Sequence, residues 1–119
     1  MTGLRVSNEA QQDIQEIQHH YAREFGSVAA FSWLDSLEQA FELISTFPGL
    51  GHQQFAGQIG IPDLREVSLP HYPYIVFYMF HPGDPSNENA RDDANWTNPS
   101  IPTIVRVLHM KRDIPTSLL

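Results

Sequence analysis

Leu64-Arg65-Glu66-Val67, Tyr72-Pro73-Tyr74-Ile75-Val76-Phe77-Tyr78 and Ile104-Val105-Arg106-Val107-Leu108-His109-Met110-Lys111-Arg112-Asp113 set the architecture of this chain. Each run is rich in β-branched and aromatic residues and is bounded by Pro, Gly or Asp, which is strand composition. The pattern predicts strands at about 64–69, 74–80 and 103–110, with a short strand at 3–6 before them. In the 74–80 run both faces are apolar, Tyr74, Val76, Tyr78 and Phe80 alternating with Ile75, Phe77 and Met79. A strand of that kind is usual inside a sheet covered on both sides.

Helical periodicity fills the first half. Ser7 is placed to cap a helix, with Glu9 in the first turn, where the helix dipole favours an anion. Ala10, Ile14, Ile17 and Tyr21 recur on one helical face, and Gln11, Gln12, Gln15, Glu16, Gln18 and His19 fill the other. Gly26 breaks the pattern, and Ser27 is placed to cap a second helix bearing Ala30, Trp33, Leu34, Leu37, Phe41 and Ile44. Pro48 ends that helix, because it cannot continue the hydrogen-bond ladder. So short a connection predicts an antiparallel hairpin, whose apolar stripe needs a sheet to cover. Only one helical layer is then available for a sheet with two apolar faces. The second face needs another cover, a bound partner segment; the alternatives are a second copy of the chain or aromatics left partly exposed.

Leu50 to Pro62 is glycine-rich and reads as a loop. His81 to Pro102, with four prolines among polar and acidic residues, reads as an insertion between the last two strands; Trp96 is placed to pin it. The expected organisation is one domain over residues 1–119, of α+β class, in the order β-α-α-β-β-β.

Composition narrows function. The chain has 119 residues, no cysteine and a formal net charge of −7. Without cysteine there are no disulfides or thiolate zinc sites, which fits a reducing cytoplasm. No apolar run is long enough for a membrane span, and the start lacks the pattern of a secretory signal. From Asn8 to Phe47 seven acids face Arg23 alone, a net of −6, whereas Thr103 to Asp113 carries a net of +2. That balance opposes general polyanion binding and leaves one small basic patch near the C-terminus. No phosphate loop, dinucleotide fingerprint or nucleophile elbow is present, so no cofactor is expected. Of the six histidines none forms a metal-binding helix pair, and His19 and His20 diverge by about 100° on a helix, so no metal site is expected.

Several motifs in order resemble the ParE branch of the ParE/RelE toxin superfamily of type II toxin–antitoxin systems. They are Ala10-x-x-Asp13-Ile14-x-x-Ile17, Phe47-Pro48-x-x-Gly51, Arg65, Tyr72-Pro73-Tyr74-Ile75-Val76-x-Tyr78 and Val107-Leu108-His109-x-x-Arg112-Asp113. The resemblance implies a short N-terminal strand and a two-helix hairpin packed on an antiparallel sheet. It also implies a cognate antitoxin and a role in plasmid stabilisation. ParE-like members are associated with poisoning DNA gyrase; RelE-like members cut messenger RNA on the ribosome.

Residue chemistry separates the two branches. Cleavage by a 2′-hydroxyl needs a base, an acid and cations for the developing phosphorane charge. This chain has one lysine and no tyrosine after Tyr78. Arg65, Arg106 and His109 are the candidate nuclease parts, and strand alternation points Arg106 away from His109. The expected activity is therefore gyrase poisoning without chemistry of its own; the alternatives are a ribosome-dependent endoribonuclease and a non-toxic family member. Arg65, His109, Lys111 and Arg112 are the candidate target-binding residues. For Arg65 the alternative is a structural ion pair with a hairpin acid, for His109 a backbone-bonded imidazole, and for Lys111 and Arg112 an ordinary charged strand end. Tyr74, Val76, Tyr78 and Phe80 are the expected antitoxin-docking face. A homodimer is the expected form of the free chain if no antitoxin covers it. The Asp13 and Glu16 carboxylates read as solvated.

Overall fold

Ser7 Oγ accepts a hydrogen bond from Ala10 N at 3.1 Å and so starts the first helix where the sequence places it. The computed structural model describes residues 4–53, 56, 60–61, 63–80 and 101–111. In chain order the elements are β1 (Arg5–Val6), α1 (Asn8–Phe25), α2 (Ser27–Thr46), a single 3-10 turn (Pro48–Leu50), β2 (Leu64–Ser68), β3 (Tyr74–Met79) and β4 (Thr103–His109).

The hairpin turns on one residue. Gly26 has φ +96°, a region that side chains resist, and its N–H donates to Ala22 O at 3.1 Å to close α1. Gly26 is also the N-cap of α2; Ser27 already lies inside that helix and does not cap it. So abrupt a reversal sets the helices side by side.

The strands order as β1-β4-β3-β2. β3 pairs antiparallel with both β2 and β4. β1 runs parallel to β4, Arg5 opposite Thr103 and Val6 opposite Ile104, so the sheet is mixed rather than antiparallel throughout. The reason is topological: β3 already has both neighbours, so β1 takes the open edge of β4, and the intervening crossover delivers it in the same direction.

The helix-facing side of the sheet is the main core. Ala10, Trp33, Leu37 and Ile44 pack there on Tyr74, Val76, Tyr78, Ile104 and Val107, all buried, with Phe80 packed alongside. This corrects the expectation that Tyr74, Val76, Tyr78 and Phe80 present a docking face: the hairpin itself fills that side. The opposite side holds Leu64, Ile75, Phe77 and Leu108 with Ala56 buried among them, and Ile61, Met79 and Val105 packed around. Ala56 and Ile61 belong to the glycine-rich loop, so the chain provides part of the second cover. Of the expected insertion, residues 81–100, Trp96 included, lie outside the described residues, as do Arg112 and Asp113.

One ion pair ties α1 to β4. Asp13 Oδ2 accepts from Arg106 Nε at 2.7 Å and from Val107 N at 3.0 Å, while Oδ1 accepts from Arg106 Nη2 at 3.0 Å. The carboxylate is buried, its side chain 8% exposed, and is not the solvated group expected from the sequence. The register shift at Phe77/Tyr78 breaks strict alternation in β4, and Arg106 turns to α1. Hydrogen bonding to Asp13 raises the pKa of the guanidinium. Removing one member of a buried pair strands the other, which costs about 3 kcal/mol. Asp13→Ala and Arg106→Ala are each expected to lose about that much in urea unfolding, and the double variant less than the sum by at least about 1 kcal/mol. Additive losses would show that the two side chains act independently.

Candidate functional site

The Phe47-Pro48-x-x-Gly51 ending of α2 is held from below by two side chains of the sheet. Phe47 N donates to Leu43 O, and the 3-10 turn closes with Leu50 N on Phe47 O. Tyr78 Oη donates to Pro48 O at 2.6 Å and accepts from Gly51 N at 3.0 Å. Arg65 Nη1 donates to Gly49 O at 3.0 Å and Gly51 O at 3.2 Å. A cation set on carbonyls just past a helix C-terminus also meets the negative end of the helix dipole. Arg65 and Tyr78 face each other across β2 and β3. Beyond the turn, His52 exchanges two backbone hydrogen bonds with Glu66, at 2.9 and 2.8 Å, and lines the outer edge of β2.

Gly51 is where the motif needs glycine. A Cβ there would lie 2.5 Å from Tyr78 Oη, 2.9 Å from Tyr78 Cε1 and 3.0 Å from the Cβ of Arg65. The backbone approaches the two side chains more closely than any other residue allows.

Arg65 therefore has a different partner from the hairpin acid the sequence offered: backbone carbonyls of the α2–β2 connection. Its Nε is buried without a hydrogen-bond partner. Burial raises the pKa of Tyr78 above its ordinary 10.0, against the lowering effects of the Gly51 hydrogen bond and the Arg65 charge. Tyr74 and Tyr21 are likewise raised, chiefly by burial.

His109 stands at the other end of β3. Its ring packs edge-on to Tyr74 at 5.1 Å between centroids, and Nδ1 accepts from Lys111 N at 3.1 Å. Lys111 is exposed, as is Met110 beside it. Arg65 pairs with Tyr78 and His109 with Tyr74, four residues apart along β3, which is about 13 Å. The candidate target-binding residues thus divide into a turn-holding arginine and an exposed strand end. Among the described residues no group of three or more His, Asp or Glu is arranged to hold a metal ion, and no helix is long and apolar enough to cross a membrane.

Sequence reasoning passed over Asp13 and Gly51 as site-forming residues. Both stood inside quoted motifs, but nothing local distinguished a buried carboxylate from a solvated one, or a tightly packed glycine from a loop glycine.

Residues 4–88 match the family described as "ParE toxin of type II toxin-antitoxin system, parDE". A solved structure titled "Chromosomal ParDE TA system from P. aeruginosa" has the same fold, with a TM-score of 0.66 at 15% sequence identity, over 93% of this chain and 98% of that one. No curated protein sequence matches.

Tyr78→Phe leaves Pro48 O and Gly51 N without their partner, so a loss of about 2 kcal/mol is expected in denaturant unfolding. Gly51→Ala should destabilise too, and in the Tyr78→Phe background its cost should shrink, because the 2.5 Å contact with the hydroxyl is gone. An undiminished cost in the double variant would place the obstruction elsewhere. For pH, tyrosines raised in the folded state hold their protons when the unfolded chain has begun to lose them. Stability should therefore be flat up to about pH 10 and fall above it, which thermal melts at pH 8 to 11 would record.

Proposed function

We propose that this chain, which belongs to the ParE toxin family of type II toxin–antitoxin systems, arrests growth by binding and poisoning DNA gyrase in the cytoplasm, and that a cognate antitoxin neutralises it. The observation that carries this reading over RNA cleavage is the state of the three candidate nuclease side chains. Arg106 is committed to Asp13 in a two-pronged ion pair. Arg65 is committed to the carbonyls of Gly49 and Gly51. His109 Nδ1 accepts a backbone N–H, which leaves only Nε2 to exchange a proton. A phosphorane needs cations that converge on one point, and these two guanidiniums are spent on the protein's own oxygens.

What remains for a target is the exposed end of β4, where Lys111 and Met110 follow His109. A protein surface is recognised there by shape and charge, with no proton transfer required.

The test is DNA supercoiling by purified gyrase with and without the protein, with cleavage complexes scored in the same reactions. Loss of supercoiling with trapped breaks is expected. Lys111→Ala should weaken that inhibition by about tenfold, the effect of one lost charge-assisted contact, without changing the melting temperature. Unchanged supercoiling, with messenger RNA cut during translation, would overturn the reading in favour of the endoribonuclease. Absence of both effects would identify a non-toxic family member.

A further inference from the structure

The turn from β2 to β3 runs Leu69-Pro70-His71-Tyr72-Pro73 and holds His71 at φ +69°. Every other described residue with positive φ is glycine. Glycine adopts that left-handed region freely, whereas a Cβ there crowds the following carbonyl oxygen and costs free energy. The turn does not need the imidazole for its shape. The rings of Pro70 and Pro73 fix their own φ angles. Leu69 N donates to Tyr74 O at 2.9 Å, and the Tyr72 ring packs edge-on to Tyr21 at 5.8 Å between centroids. His71 is exposed, and among the described residues its ring has no hydrogen-bond, ion-pair or aromatic partner. A strained side chain that holds nothing inside the protein is explained by something outside it.

The position of the turn gives that contact a place. Met110 N donates to Pro73 O at 2.8 Å, and Tyr74 pairs with His109 across β3 and β4. The turn and the exposed end of β4 are therefore one tip of the sheet, built from two segments far apart in sequence. Leu69 to Tyr74 and His109 to Lys111 together hold one lysine, two imidazoles and no acid, in a chain of net charge −7. Pro70, Pro73 and Met110 are exposed among these polar groups. A partner that is acidic at the point of contact meets complementary charge there.

We infer that the β2–β3 turn is the second half of the target-binding surface, with His71 as its contact residue, and that this tip takes an acidic segment of the target protein. Lys111 supplies a full charge from β4. His71 supplies an imidazole from the turn, which donates from one nitrogen when neutral and from both when protonated. The two prolines and the Met110–Pro73 hydrogen bond hold the turn, so little conformational freedom is lost when a partner docks. The inference rests on the reading of the β4 end as the target site and adds to it a residue from a different segment.

Binding of purified gyrase to the immobilised full-length chain at low salt tests it, with three variants at this one position. His71→Gly removes the imidazole and the strain together, so it should melt at or above the parent temperature and yet bind about tenfold more weakly. His71→Lys and His71→Glu share the same backbone strain, so the difference between them reads charge. The Lys variant should bind within about twofold of the parent, and the Glu variant about a hundredfold more weakly. Parental binding by His71→Gly, or equal affinity of the Lys and Glu variants, would overturn the inference. So would a concentration-dependent dimer in sedimentation that His71→Glu dissolves, which would make a second copy of the chain the occupant. A parent that does not bind gyrase ends the gyrase reading alone, and the variants are then ranked by growth arrest on induction at matched expression. Parent and Lys variant strongest, Gly weaker and Glu weakest would keep the tip as the contact for another target. Any other order, or a parent that arrests nothing, would overturn it.

Discussion

The rest of the fold hangs on how the open edge of β4 is closed. β1 is two residues long and pairs only as far as Val6 opposite Ile104. Beyond that point side chains take over the work of a strand. Ser7 N donates to Ile104 O, Ser7 Oγ donates to Val105 O, and Asp13 accepts Val107 N together with the Arg106 guanidinium. A buried backbone donor without a partner is costly, and a buried carboxylate without one costs more. Each solves the other's problem here. The result locks the first turns of α1 to the edge of the sheet and sets how the hairpin lies across it, so that Trp33, Leu37 and Ile44 reach Tyr74, Val76 and Tyr78.

At the far side of the sheet the same economy recurs around Tyr78. Its ring is in the core, and its hydroxyl and Arg65 hold the turn that leaves α2. The chain can then run along β2 through His52 before entering the loop that supplies Ala56 to the opposite face. An arginine in an apolar strand and a tyrosine hydroxyl at the end of β3 are thus parts of the scaffold. For a toxin family this matters, because polar residues inside strands attract catalytic interpretations. The geometry assigns Arg65 and Arg106 to holding the protein together. The exposed surface differs in charge from place to place: Lys111 lies at the end of β4, and Asp35, Glu38 and Glu42 lie along the outer side of α2.

Periodicity and punctuation were enough for the elements and their order. Ala10, Ile14, Ile17 and Tyr21 could only be one helical face, Gly26 and Pro48 could only interrupt, and the β-branched runs could only be strands, because each signal acts within a few residues. The resemblance carried by Phe47-Pro48-x-x-Gly51 and the strand motifs also identified the family from the sequence alone. What waited for the tertiary structure is everything that pairs residues far apart in the chain. Asp13 and Arg106 are separated by 93 positions, and whether a carboxylate is solvated or buried depends on what lies across from it. The direction of β1, the side of β3 that the helices cover, and the choice of carbonyls over a carboxylate by Arg65 are of the same kind. Strand alternation names two faces but not which one the helices take, and it fails outright where the register shift opposite Phe77 and Tyr78 turns Arg106 to α1. Local pattern sets local conformation; partner, face and burial are properties of the packed whole.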